Sequence, residues 1–559
     1  MHLVNYPDFE KTVASTIPFP GDQCEYKYYL ECTDRYGSDY TAFSHMGTDH
    51  TRGQFIADIE AMASYYRNEV GLKPQDCVSV LTLTCIEGII TFFALNKIGV
   101  IVNFIHPLYT DYQIKKIISD CKSKYLCVSD LLIPSKKDLI NEIGLPTMVF
   151  SYPAYSKSDA ADAETDPQFF GMLSGVPVCG FPETLRAHKG ETTETVADDL
   201  DYIALYINGG GTTGESKTIM LTNVNINYQN YVNNTVNYLP DAPGDRAAIG
   251  CMPFFHAYGL CAGGLDSFFS ADKVIYMARF DAEKFIALLK ANKVYKFNGV
   301  PNFFRKLLAC PDFDSPALAN VECIFVGGDS VTADLRDSMY SVLKKYGSQA
   351  EFHAGYGLTE AVATCTVNML WENREGTVGV GVGLDVEIWD EEGNKVPNGT
   401  IGEIALTGPQ VMAGYLTPTG ERDVGVIVDA QGRRWIRTGD LGKLDDDGFV
   451  TFAGRKKRVI IISGYNVYPG DIENLVNNLP FVQTSCAVQG EQNGKPIVRL
   501  FVQPKAGLAV EKEKWDKIII DEITEKLVKF NIPRDIRYID AMPVTKLEKT
   551  DFIALQNME

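Results

Sequence analysis

The stretch 78–105, VSVLTLTCIEGIITFFALNKIGVIVNFI, decides the fold. Val78 to Leu83 is a short apolar run and predicts a strand buried on both faces. Glu87 to Ile98 predicts a helix, and Val100 to Ile105 a second strand. A strand, a helix and a strand in that order make a βαβ unit. Such a unit needs a parallel sheet, because a crossover of about a dozen residues must return the chain to the same end. It also puts helices on the faces of the sheet. Upstream, Phe55, Ile56, Ile59, Met62, Ala63 and Tyr66 recur at helical spacing, so 53–70 is predicted as an amphipathic helix. Downstream, a helix near 111–120 and a strand from Tyr125 to Val128 repeat the unit. The expected fold class is α/β, with stacked βα sheets in a large N-terminal domain.

Farther along, 155–200 is rich in Ser, Asp, Ala, Thr and Glu and predicts a surface excursion. A helix at 223–238 is expected to start on Thr222 or Asn223 as N-cap, directly after a Gly-rich loop. From 378 to 453 the pattern changes to short alternating strands, with turns at Glu392-Gly393, Pro397-Asn398-Gly399 and Asp447-Gly448. This predicts a small β subdomain. After Gly454 a compact α/β segment runs to the end. The cationic cluster Arg455 to Arg458 marks the boundary, giving domains 1–455 and 456–559.

At 559 residues the chain is too long for one ordinary core. Hydrophobic content of 45% with 22% charged residues describes a globular protein. A net charge of −20 argues against nucleic acid or an anionic membrane as the main partner, though not against a local anion site. Thirteen cysteines without a CxxC pair point away from a disulfide framework or structural zinc and toward a reducing cytoplasm. The N-terminus lacks the blocks of a signal peptide. Ala247 to Leu265 is uncharged but broken by Pro253, His256 and glycines, so it reads as strand and loop and not as a transmembrane segment.

The loop NGGGTTGESK, Asn208 to Lys217, follows the apolar run Ile203 to Ile207. Its glycines let backbone N–H groups approach an anion, Thr212 and Thr213 add hydroxyls, and Lys217 adds charge. That is polyphosphate chemistry without Walker A spacing. A surface turn is the other reading of this segment alone. Other segments are equally plain when taken singly. MPFFHAYGL (252–260) puts His256 among aromatics, where a packed core histidine is the commoner outcome. GYGLTE (355–360) could be a helix start, RTGD (437–440) a turn, GRKKR (454–458) a solvated patch and PVTKLEKTD (543–551) a polar tail.

Taken together and in order, these segments resemble the ANL superfamily of adenylate-forming enzymes, from about Glu60 to Asp551. The resemblance implies two half-reactions in one site. A carboxylate attacks the α-phosphorus of ATP, giving acyl-AMP and pyrophosphate. A thiol, of coenzyme A or a carrier protein, then displaces AMP. It also implies roles for particular residues. Thr212, Thr213, Gly214 and Lys217 would hold the β- and γ-phosphates. Tyr356, followed by Gly357, would stack on adenine, with Gly327 and Gly328 flanking the base. Thr359 would contact phosphate and Glu360 would hold Mg²⁺. Asp440 would accept both ribose hydroxyls and Arg455 would add a second ribose contact. His256 would sit beside the acyl carboxylate, and Lys549 would be the catalytic lysine. The smaller α+β C-terminal domain would be mobile, turning about Arg458 and bringing Gly464 to the thiol tunnel.

The chain departs from the family pattern in places. Gly209 and Gly210 replace two hydroxyl residues, Ser216 replaces proline and Thr218 the last glycine. Ala354 stands where Asn or Gln often faces adenine, Arg458 is an uncommon hinge residue, and Glu548 replaces the glycine before Lys549. These departures leave open a non-catalytic relative that only binds an acyl or nucleotide ligand. No acidic residue follows PFFHAYG until Asp266, so the small-molecule acid is expected to lack an α-amino group. Phe254, Phe255, Tyr258, Leu260, Val300 and Phe303 are expected to wall an apolar acyl pocket. Gly259, Gly263 and Gly264 could leave room for a fatty chain or could only allow close packing. The acid is read as fatty or aryl, with fatty favoured. The acceptor is read as coenzyme A, with a separate acyl or peptidyl carrier protein as alternative.

Overall fold

The computed structural model describes residues 20–21, 23–196, 202–209, 217–236, 243–329, 331–370, 372–419, 421–462, 465–492, 495–545 and 550–558. The decisive stretch folds as read. Strand Cys77–Leu81, helix Ile86–Lys97 and strand Ile101–Phe104 follow one another, and the two strands pair in parallel, Val78 beside Val102 and Val80 beside Phe104. Both strands are buried along their whole length, which is why their sequences are apolar runs and not alternations. The helix is buried on every side. A helix apolar all round must have protein all round it. It lies in the main core, where residues of two large sheets meet.

Among the described residues, one of these sheets has eight strands. Its order is Gly414–Tyr415, Lys217–Thr222, Ile203–Gly209, Ile101–Phe104, Cys77–Leu81, Ser123–Ser129, Thr147–Phe150 and Val178–Gly180. The other has nine, and its middle strands are Phe352–Tyr356, Cys323–Val326, Val294–Gly299 and Ala247–Gly250. A third, five-stranded sheet is built from Asp385–Trp389, Gly402–Thr407, Ile427–Val428, Arg434–Leu444 and Val450–Arg455. The turns expected in it carry Gly393, Gly399 and Gly448 at positive φ. Near the end of the chain, strands Val482–Gln492, Lys495–Pro504 and Asp535–Tyr538 form a separate three-stranded sheet. Trp515, Ile519 and Ile523, one helical turn apart on Lys512–Lys526, pack into its core. The α/β expectation, with a large N-terminal part and a smaller C-terminal one, is met.

Three local expectations change. The region 155–200 is not a mere surface excursion, because Val178–Gly180 extends the eight-stranded sheet and helix Phe181–Ala187 buries Phe181 and Leu185. The Gly-rich loop does not feed a helix. It joins the antiparallel strands Ile203–Gly209 and Lys217–Thr222, and helix Asn223–Val236 begins only after the second of them. Thr222 does cap that helix, its Oγ1 accepting from Asn225 N–H at 3.3 Å while Asn225 Oδ1 accepts from Thr222 N–H at 2.8 Å. Finally, Tyr258–Leu265 is a π-helical segment and not a loop. Among the described residues no helix is long and apolar enough to cross a membrane.

Candidate active site

A cavity of about 540 Å³ gathers most of the residues singled out in the sequence. Lys217, His256, Tyr258, Val300, Gly328, Tyr356, Gly357, Thr359, Glu360, Asp440 and Arg455 all line it, drawn from the three large sheets and their loops.

One cluster is carboxylate-centred. Asp440 and Arg455 are register partners on antiparallel strands. Arg455 Nε lies 2.8 Å from Asp440 Oδ1, and the Tyr356 hydroxyl donates to Oδ2 at 2.7 Å. The Asp440 side chain is 2% exposed and that of Arg455 50%, so the carboxylate is anchored and the guanidinium faces water. Burial, and then the charge of Asp440, push the Tyr356 phenol well above its ordinary range, so it stays protonated and acts as donor. Asp440 N–H donates to Thr438 Oγ1 at 3.1 Å, and that hydroxyl donates to Ile404 O at 2.8 Å.

A second cluster sets a cation and a carboxylate on one tyrosine. The Tyr415 hydroxyl donates to Glu360 Oε1 at 2.8 Å, and Lys217 Nζ lies 4.5 Å from the centre of the Tyr415 ring. At an exposed position such a cation–π contact contributes about 0.5–1 kcal/mol. Glu360 sits in the tight turn Thr359–Ala361. Val362 follows at φ 68° and ψ −66°, and Ala363 N–H donates to Ala361 O at 2.9 Å. This is a γ-turn of the strained hand, rare for a β-branched residue. Gly357 makes the turn possible, since a Cβ there would lie 1.6 Å from Ala363 O.

The wall expected to face the acid is built from other residues in part. Phe254 and Phe255 do not line the cavity. Phe254 packs behind the wall against Tyr276 and Phe104, with ring centres 5.0 and 6.3 Å away, and Phe255 packs on His106 at 4.1 Å. Leu260 and Phe303 are likewise core residues. Of these, Leu260 lies on the π-helical segment Tyr258–Leu265, whose period differs from that of an α-helix. Of the nearby glycines, Gly263 would give an added Cβ no neighbour closer than 3.5 Å, whereas Gly259 and Gly264 make no room for a chain. A Cβ on Gly259 would fall 2.1 Å from Pro253 O, and one on Gly264 would fall 3.1 Å from Gly259 O, so both serve close backbone packing. Two amides missed in the sequence stand on this wall, Asn233 and Asn298. Asn298 Nδ2 donates to Ala262 O at 2.5 Å. The one available signal was Asn298, a polar residue next to last in the buried strand Val294–Gly299.

Arg458 does not line the cavity. Its guanidinium pairs with Glu473, donates to Ala487 O at 3.2 Å and lies 5.2 Å from the Phe552 ring centre. Phe552, three positions beyond Lys549, does line the cavity. Thr212, Thr213, Gly214, Gly464 and Lys549 lie outside the described residues. Among the described residues no group of three or more His, Cys, Asp or Glu is arranged to hold a metal. Glu360 would fit Mg²⁺ differently, as a single carboxylate, since Mg²⁺ is often held by one or two carboxylates together with substrate phosphates and water.

Known proteins resemble this chain in sequence and fold. The family model described as AMP-binding enzyme matches residues 31–416. The protein of Bacillus subtilis (strain 168) named long-chain-fatty-acid–CoA ligase is 27% identical over 563 residues, covering 98% of this chain and 96% of that one. A feruloyl-CoA synthase of an Amycolatopsis species is 29% identical over 376 residues, covering 65% of this chain and 72% of that one. In structure, ATP-bound MatB from Rhodopseudomonas palustris matches with a TM-score of 0.77 over 94% of this chain and 97% of that one, at 23% identity, which is a likeness of fold.

Proposed function

Because the chain belongs to the AMP-binding enzyme family, we propose that it activates a fatty acid without an α-amino group as acyl-AMP and passes the acyl group to coenzyme A. It is an acid–CoA ligase of the AMP-forming kind. One observation carries the reading: the Asp440–Arg455–Tyr356 cluster and the Lys217–Tyr415–Glu360 cluster open on the same cavity. The first suits a ribose and base, the second a triphosphate.

In the first step the acid's carboxylate oxygen attacks the α-phosphorus, a P–O bond breaks, and pyrophosphate leaves. Negative charge gathers on the phosphoryl oxygens and must be met by fixed donors. Lys217, with Thr212 and Thr213, takes the β- and γ-phosphates, and Lys549 bridges the attacking carboxylate and the α-phosphate. Asp440 accepts the ribose hydroxyls, Tyr356 stacks on adenine beside Gly328, and Thr359 contacts phosphate. His256 stands beside the acyl group. Mg²⁺ held at Glu360 would neutralise phosphate charge. In the second step the thiol sulfur attacks the acyl carbon and AMP leaves. For this the 456–559 domain turns about Arg458, withdraws Lys549 and brings Gly464 to the tunnel. Free cysteines throughout the chain fit a cytoplasmic setting.

The fatty acid is supported by the name of the Bacillus subtilis relative and by Tyr258, Val300 and Ala262 on the wall. The wall amides Asn233 and Asn298 favour a second reading, an aryl acid with a polar ring substituent. ATP–pyrophosphate exchange over a panel of fatty, aryl and amino acids tests both. Exchange with fatty acids, followed by acyl-CoA formation when coenzyme A is added, is the expected result. Transfer only to a carrier protein would replace the acceptor. Exchange only with amino acids, or none in protein that binds ATP, would overturn the reading.

A further inference from the structure

We propose that Tyr415 is a positioning residue that sets the spacing between the Lys217 ammonium and the Glu360 carboxylate. The inference rests on reading the cavity as the ATP site. The backbone holds Tyr415 against both partners. Strand Gly414–Tyr415 pairs antiparallel with Met220 and Ile219, and Leu416 N–H donates to Thr218 O at 2.8 Å, next to Lys217. From the same segment, Met412 N–H donates to Glu360 O at 2.9 Å. The ring has a place made for it. A Cβ on Gly425, which sits at φ +86°, would fall 2.4 Å from the Tyr415 ring.

The chemistry follows from that placement. An ammonium and a carboxylate facing one cavity attract each other, and a direct ion pair would quench both as groups for holding a nucleotide. Tyr415 gives each a different surface. Its face takes the cation at 4.5 Å, and its hydroxyl takes Glu360 Oε1 at 2.8 Å, leaving Oε2 for a second partner.

Two substitutions separate the contacts. Tyr415→Phe keeps the ring and loses the hydroxyl, while Tyr415→Leu loses both. Equilibrium ATP binding in EDTA reads the Lys217 side. Calorimetric Mg²⁺ titration of the protein–ATP complex reads the Glu360 side. Tyr415→Phe should bind ATP in EDTA like wild type, yet bind Mg²⁺ about tenfold more weakly, as expected on losing a partner of a metal-holding carboxylate. Tyr415→Leu should show the Mg²⁺ defect and a further loss of about two- to fivefold in ATP affinity in EDTA. Folded variants that match wild type in both titrations would overturn the inference, as would equal EDTA defects in the two. Wild-type protein that binds no ATP would overturn the reading of the site itself.

Discussion

On the side of the cavity that we propose takes the nucleotide, Asp440, Arg455 and Tyr356 reach one point from three different strands. On the acid side, Tyr258, Val300, Asn233 and Asn298 form the wall while the two phenylalanines of the sequence motif face the core. The two sides are specified by different physics. A charge cannot be buried without a partner, so the nucleotide side demands particular residue types at particular positions. An apolar wall demands only volume, and backbone geometry decides which of several suitable side chains supply it.

If that contrast is right, substitutions should divide accordingly. The largest effect is expected behind the acid wall. Phe254→Ala should cost about 3–5 kcal/mol in chemical denaturation by opening a hole in the core, while leaving acid preference in the exchange panel unchanged. A changed preference would put Phe254 back in the pocket. Next, Lys549→Ala should lower pyrophosphate exchange about 10²–10³-fold, or roughly 3–4 kcal/mol of barrier, with unfolding unaltered. Normal exchange in this variant would remove the lysine from the chemistry. Asp440→Ala removes an anchored carboxylate and should weaken ATP binding by about 1.5–3 kcal/mol, read by titration, with little change in acid preference.

Smallest when counted per pH unit is a slope in stability. Glu87 lies beside Gly88, whose position is 3.6 Å from the Phe254 ring when a Cβ is built there, and neither of its carboxylate oxygens is hydrogen-bonded among the described residues. Burial pushes its carboxyl from 4.5 up to about 8. The folded state therefore holds a proton that the unfolded chain releases. The stability this contributes is fully present below pH 4.5 and is lost as pH rises through 8, by at most about 1.4 kcal/mol per unit. Glu87→Gln should flatten urea-unfolding stability between pH 5 and 8 and gain most at pH 8. An unchanged slope would mean that Glu87 is ionised in the fold.

The same contrast explains what could be read in advance. Cys77–Leu81 and Ile86–Lys97 were legible because full burial writes itself as an uninterrupted apolar run. The nucleotide side was legible because its charged residues recur in short motifs whose order carries meaning. Val178–Gly180 was not, since three residues at a sheet edge bury too little to leave a pattern. Lys217–Thr222 was passed over because the glycines before it and the helix after it were the stronger local signals. Tyr415 was invisible because its strand pairs with residues nearly two hundred positions away in sequence, and no local periodicity records such a partner. Phe254 and Phe255 misled because they sit in a turn, and an aromatic in a turn carries no periodicity that says which way it faces.

The strand Gly414–Tyr415 has one more effect, on how the molecule comes apart. The residues around it tie two sheets together: Ala413 N–H donates to Met220 O at 2.8 Å, and Arg434, on the five-stranded sheet, donates to Met412 O at 2.7 Å. Opening the small sheet therefore also strips the edge of the eight-stranded sheet. The two should exchange their amide hydrogens as one cooperative unit, with strand Arg434–Leu444 no less protected than Ile203–Gly209. A sheet joined only through loops would fray first and alone.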